Sequence, residues 1–154
     1  MRHHEIRVQT LVLVAAAAGL VSFGVFVMIT RSGELVPRPP LLAGVLLVVM
    51  AGLVLWLARP VRRYLQGRAT TPLDPVQAAR TVVLAQAAAL TGSAATGWYA
   101  GQLAVVLTDL SLVANRSRIL PLFLLLVAGV VLATAGLVAQ RWCRVDPRDE
   151  DEVS

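Results

Sequence analysis

DPVQAARTVVLAQAAALTGSAATGWYAGQLAVVL, running from Asp74 to Leu107, decides how this chain is read. Asp74 is a good helix N-cap, and Pro75 suits the first helical position, where its missing N–H would find no partner anyway. Gln77 stands where a capping-box side chain reaches back to the cap. A helix therefore starts here, and after Arg80 it runs without a charge to Leu107. Small residues recur every four positions at Ala85, Ala89, Ser93, Gly97 and Gly101. A neighbouring row holds Ala88, Gly92, Thr96, Ala100 and Ala104. Residues four apart share a helix face, so the first row predicts a nearly flat packing face that other helices can approach closely. In lipid, apolar burial gives helices no reason to prefer one another over acyl chains, and such backbone-to-backbone contact is what holds a bundle together.

The flanking sequence predicts the same environment. Of 154 residues, 57% are hydrophobic and only 15% charged, against about 25% charged in an ordinary globular domain. The apolar residues fall into four blocks, at 8–29, 41–58, 78–107 and 120–140, and blocks of this length predict membrane spans. The first block has 22 residues. That exceeds the roughly 7–15 of a signal-peptide core, and no small-residue cleavage site follows it, so it is read as a retained span. From Arg80 to Trp98 the third block covers about 27 Å at the helical rise, close to a hydrocarbon core of about 30 Å. Residues 145–154 hold five acidic residues and Pro147 and have almost nothing to bury, which predicts a disordered tail. The expected fold is thus all-α: one integral-membrane four-helix bundle with short loops and an acidic C-terminal tail.

All fourteen cations are arginines, which titration cannot neutralise. Ten lie in the N-terminal segment, the stretch from Arg59 to Arg80 and the C-terminal segment. Four lie in the other two connections, at Arg31, Arg38, Arg116 and Arg118. Positively charged short loops stay inside, so both termini should be cytoplasmic in a bacterial plasma membrane. Arg59, Arg62, Arg63, Arg68 and Arg80 would then form a cytoplasmic basic surface facing anionic lipid headgroups. The net charge of +5 does not imply nucleic acid, because the arginines flank apolar blocks.

The residues offer little for catalysis. No Asp, Glu, Lys, Arg or His lies inside the proposed spans beyond Arg80, whereas proton relays and ion-coupled transport need an ionisable group at membrane depth. Small multidrug transporters of this size depend on a carboxylate in the first span, and Val8 to Ile29 has none. No His-Glu-x-x-His helix occurs, and Ser93 has no base, since His3 and His4 are the only histidines and belong to the N-terminal tail. The single Cys143 excludes an intrachain disulfide and a multi-cysteine metal site. No enzyme activity, metal or cofactor is expected. Among the polar residues within the spans (Ser22, Gln86, Ser93, Thr96, Gln102 and Thr134), Gln86 is a possible polar contact, either joining two helices or lining a small cavity.

Leu73-Asp74-Pro75, Ala79-Arg80, Leu84-Ala85-Gln86-Ala87, Gly92 and Gly97-Trp98-Tyr99-Ala100-Gly101 resemble the signature region of an actinobacterial membrane-protein family, domain of unknown function 3180. The similarity extends to four spans, a basic second loop and the pair Cys143-Arg144 before an acidic tail. The resemblance implies no defined activity and no catalytic residue. A Lys is common in the family where this chain has Gln86, so no role requiring a cation carries over to that position. The reading that follows is a non-enzymatic scaffold or accessory subunit, packing on itself or another membrane protein through the row from Ala85 to Gly101. The alternative is a small transporter or channel for a neutral or lipid-like solute, with Gln86, Ser93 and Thr96 along its path.

Overall fold

A computed structural model describes residues 8–32, 40–65, 75–108 and 113–142, and almost all of them are helical. The helices are α1 (Val8–Arg31), α2 (Leu41–Leu65), α3 (Pro75–Thr108) and α4 (Val113–Trp142). Helix α3 starts at Pro75, where the capping pattern predicts it, although Asp74 itself is outside the described residues. At the end of α1, the Ser32 amide donates to the carbonyls of Met28 and Ile29 at 3.1 and 3.2 Å. Before α2, the Pro40 carbonyl accepts from the Ala43 amide at 3.0 Å. His3, His4, Arg68, Cys143 and the acidic tail at 145–154 also lie outside the described residues.

Two connections are shorter than the hydropathy boundaries suggest. Helix α2 does not stop at Ala58 but continues through Pro60 to Leu65, so Arg59, Arg62 and Arg63 stand on a helix. Helix α4 begins at Val113, before the apolar block at Leu120, and Pro121 is inside it. Hydropathy marks where a helix leaves apolar surroundings, whereas the backbone ladder ends only where hydrogen bonding stops. Arginine is a good helix former, so a basic flank extends a helix instead of ending it.

The directions of the helices follow from their close contacts. Ala15 meets Gly97, Gly19 meets Gly101, and Phe26 packs with Val105, so α1 and α3 run parallel. Gly92 meets Ala133 while Gly136 meets Ala89, so α3 and α4 are antiparallel. Gly44 lies on Leu125 and Arg62 on Trp142, so α2 and α4 are parallel. The chain therefore runs up, down, up, down. Helix α3 packs against all three others and α2 packs mainly on α4, whereas α1 touches neither α2 nor α4 among the described residues. The expected bundle is consequently an open one, ordered α1–α3–α4–α2.

The interior is rich in small residues, although Leu122, Leu125, Val54 and Val106 are fully buried in it. The principal core cluster is Ala51, Val54, Ala58, Ala85, Ala88, Leu132, Ala135 and Ala139. The outer surface instead carries Leu13, Leu20 and Met28 of α1, Leu42, Leu46 and Trp56 of α2, and Leu120 and Phe123 of α4, all exposed. Helices α1, α2 up to Arg63, and α4 from Ser117 are long and apolar enough to cross a membrane. Helix α3 is 34 residues long but is not among them, so three of the four expected spans are apolar enough to cross; its glycine, serine, threonine and glutamine lower the apolarity of its middle.

Candidate functional site: the faces of α3 and the arginine end

The row predicted from sequence is buried throughout. Ala85 and Ala89 have no exposed surface, and Ser93, Gly97 and Gly101 are buried as well. They do not, however, form one face. An α-helix turns about 100° per residue, so each step of four overshoots a full turn by about 40°. From Ala85 to Gly101 the row winds through roughly 160°. Its lower part, Ala85 and Ala89, packs on Gly136 of α4, while Gly97 and Gly101 pack on Ala15 and Gly19 of α1. Within the chain this row is covered by α1 and α4.

Both contacts are made backbone to backbone. A Cβ on Gly97 would overlap the Ala15 carbonyl oxygen, and one on Gly92 would overlap the Ala133 amide nitrogen. At Gly101 it would stand 2.5 Å from the Gly19 carbonyl oxygen, at Gly129 2.7 Å from Thr96 Oγ1, and at Gly136 2.6 Å from the Ala89 amide nitrogen. All are closer than real Cβ contacts come, so glycine is required by proximity at these positions. Gly24 and Gly52 have open space instead and carry no such requirement.

The α1 side of α3 has two further contacts. Fully buried Ser22 donates its Oγ hydrogen to the Trp98 carbonyl oxygen at 2.7 Å, bridging the helices. The Phe26 and Trp98 rings meet edge to face with centroids 5.9 Å apart, the arrangement that aromatic quadrupoles favour. Sequence reasoning groups Ser22 only with other polar residues of the spans. Its one available signal was position: it stands four residues before Phe26 on the face that meets α3.

The residues suggested for a polar path are Gln86, Ser93 and Thr96. Ser93 donates to the Leu90 carbonyl at 2.8 Å and Thr96 to the Gly92 carbonyl at 2.7 Å, so both hydroxyls are used by their own helix. Gln86 is half-buried, and its amide makes no hydrogen bond to another described residue.

The alternating directions bring the C-terminal ends of α2 and α4 together with the N-terminal end of α3. Arg59, Arg62, Arg63, Arg80 and Arg141 are all exposed at that end. The Arg62 guanidinium lies 4.5 Å from the centroid of the Trp142 ring. Arg31 and Arg118 belong to the opposite end, where Arg118 Nη1 is buried without a hydrogen-bond partner. All nine carboxylates of the chain fall outside the described residues.

A family model described as protein of unknown function (DUF3180) matches residues 11–147. No curated protein and no solved structure matches the chain.

Proposed function

This chain belongs to the DUF3180 family of proteins of unknown function, and from that premise we propose that it is a four-span protein of the bacterial plasma membrane. Both termini and the arginine-rich end are cytoplasmic, and its role is that of a non-enzymatic scaffold or accessory subunit. The observation that carries this reading is the apolar exterior, with leucine, valine and methionine widely exposed around an interior rich in alanine and glycine. In water such a surface would be a large apolar patch of the kind that marks a membrane or partner contact. In lipid it is the expected exterior, and small inner residues supply the close packing that hydrophobicity cannot.

Helix α3 has no stretch as apolar as those of the other three, and its packing against all of them is what lets it span in this reading. Its polar and small residues face α1, α2 and α4, so the lipid meets few of them. The arginines at the two ends also support the orientation, since the richer end holds five of the described cations and short basic segments stay inside. The scaffold role is supported by the absence of ionisable groups from the apolar middle of every helix. A partner would meet the outer face of α1, which has one helix neighbour among the described residues.

Membrane residence is tested by alkaline washing of native membranes, where the full chain should stay in the pellet; release into the wash would sink the reading. The accessory role is tested by mild-detergent purification from the native host with mass spectrometry of the co-purifying proteins. A stoichiometric partner lost on Leu13→Ser/Leu20→Ser supports it. A homogeneous chain with no other protein counts against it.

A further inference from the structure

We infer that the outward face of α2 around Pro60 holds one anionic phospholipid bearing two phosphate groups, an assignment that rests on the membrane reading above. A cavity of about 370 Å³ opens there, lined by Trp56, Leu57, Arg59, Pro60 and Arg63. Positions 56, 59, 60 and 63 follow helical spacing and lie on one face. Pro60 has no N–H, so the helix cannot close its ladder onto the Trp56 carbonyl, and both residues of that missing bond line the notch.

The lining changes character along the helix axis. Trp56 and Leu57 continue the apolar face of α2, and Arg59 and Arg63 follow within two turns. An indole beside a guanidinium pair matches the glycerol-to-phosphate boundary of a lipid, where one end of the ligand is apolar and the other anionic. A nucleic acid would leave the apolar half of the notch uncovered. The charge count favours two phosphates over one. Arg62 is turned onto Trp142 and belongs to the α2–α4 contact. Arg59 and Arg63 are both exposed and both line the notch. As an i, i+4 pair, their Cβ atoms are about 6 Å apart, so each guanidinium can take one phosphate of the same headgroup.

The test is native mass spectrometry of the full chain in detergent, titrated with diphosphatidylglycerol, phosphatidylglycerol or inorganic phosphate. One diphosphatidylglycerol should be retained per chain, ahead of phosphatidylglycerol, with no retention of free phosphate. Arg59→Gln/Arg63→Gln should weaken that retention roughly thirtyfold, as expected for two surface cations, while Arg141→Gln changes it little. Pro60→Ala keeps both charges but restores the backbone donor and removes the ring that lines the notch, and it should abolish the preference for the two-phosphate lipid. Equal retention in the double variant, or an undiminished preference in Pro60→Ala, overturns the site. Failure of the membrane reading would show separately, as release of the unmodified chain in the alkaline wash.

Discussion

The two sides of α3 solve one packing problem in different ways. Toward α4, Gly92 meets Ala133 and Gly129, Gly136 meets Ala89, and α2 closes the cluster through Ala51, Val54 and Ala58. Three helices hold one another there, and small residues alone suffice. Toward α1, Gly97 and Gly101 bring the backbones together just as closely, but no third helix backs the joint. That side adds a directional hydrogen bond from Ser22 to the Trp98 carbonyl and an edge-to-face aromatic pair. Helix α1 is thus a separate attachment to a three-helix unit. The difference teaches that backbone proximity supplies contact area, while a helix with one neighbour also needs groups that fix its register and rotation.

The comparison can be broken most severely at Gly92. Gly92→Leu drives a side chain into the α4 backbone, and the stability of the full chain in detergent should fall by about 3 kcal/mol or more. Equilibrium unfolding measures this, and an unchanged midpoint would refute the close contact. Gly97→Leu should act more locally, releasing α1 and sparing the other three helices. In a Cys143→Ser background, a bifunctional cross-link between Phe26→Cys and Val105→Cys should vanish, while one between Gly44→Cys and Leu125→Cys persists. Loss of both links would mean that α1 is integral to the three-helix unit. Ser22→Ala removes only the bridging bond, and interhelical hydrogen bonds of this kind contribute roughly 0.6 kcal/mol, at most about 1.7. The loss should appear in unfolding as a small shift and in the α1 cross-link as reduced yield. Gly52→Ala serves as the reference of least effect, because its added Cβ meets open space. Its stability should match or slightly exceed that of the unmodified chain, since alanine is the better helix former by about 1 kcal/mol; a clear loss would indicate a contact at that face that the described residues do not make.

Much of the secondary structure was legible because its causes are local. Pro75 and the pattern around it mark where α3 begins, and four apolar blocks foreshadow four helices. Boundaries were less legible at Arg59–Leu65 and Val113–Ile119, because hydropathy responds to the surroundings of a helix and not to its hydrogen bonds. The row from Ala85 to Gly101 shows the limit most clearly. Its spacing marks close packing correctly, but an interval of four does not quite match the helical repeat, so partners are exchanged along its length. Ser22 was readable as a polar residue in a span but not as the bridge to Trp98, since nothing in its own segment identifies the carbonyl opposite.

What the residues determined by themselves was the all-helical character, the abundance of close-packing positions in α3 and the clustering of arginines beside the apolar blocks. Capping, propensity and hydropathy act between near neighbours and need no knowledge of the fold. Tertiary structure alone decided that α1 attaches only to α3, that α4 and α2 close the other side, and that Arg62 turns to Trp142 while Arg59 and Arg63 stay outward. Those outcomes depend on which helices come within touching distance and at what rotation. Dispersion and steric exclusion fall off within an ångström or so, so partners are chosen only once whole helices are in place.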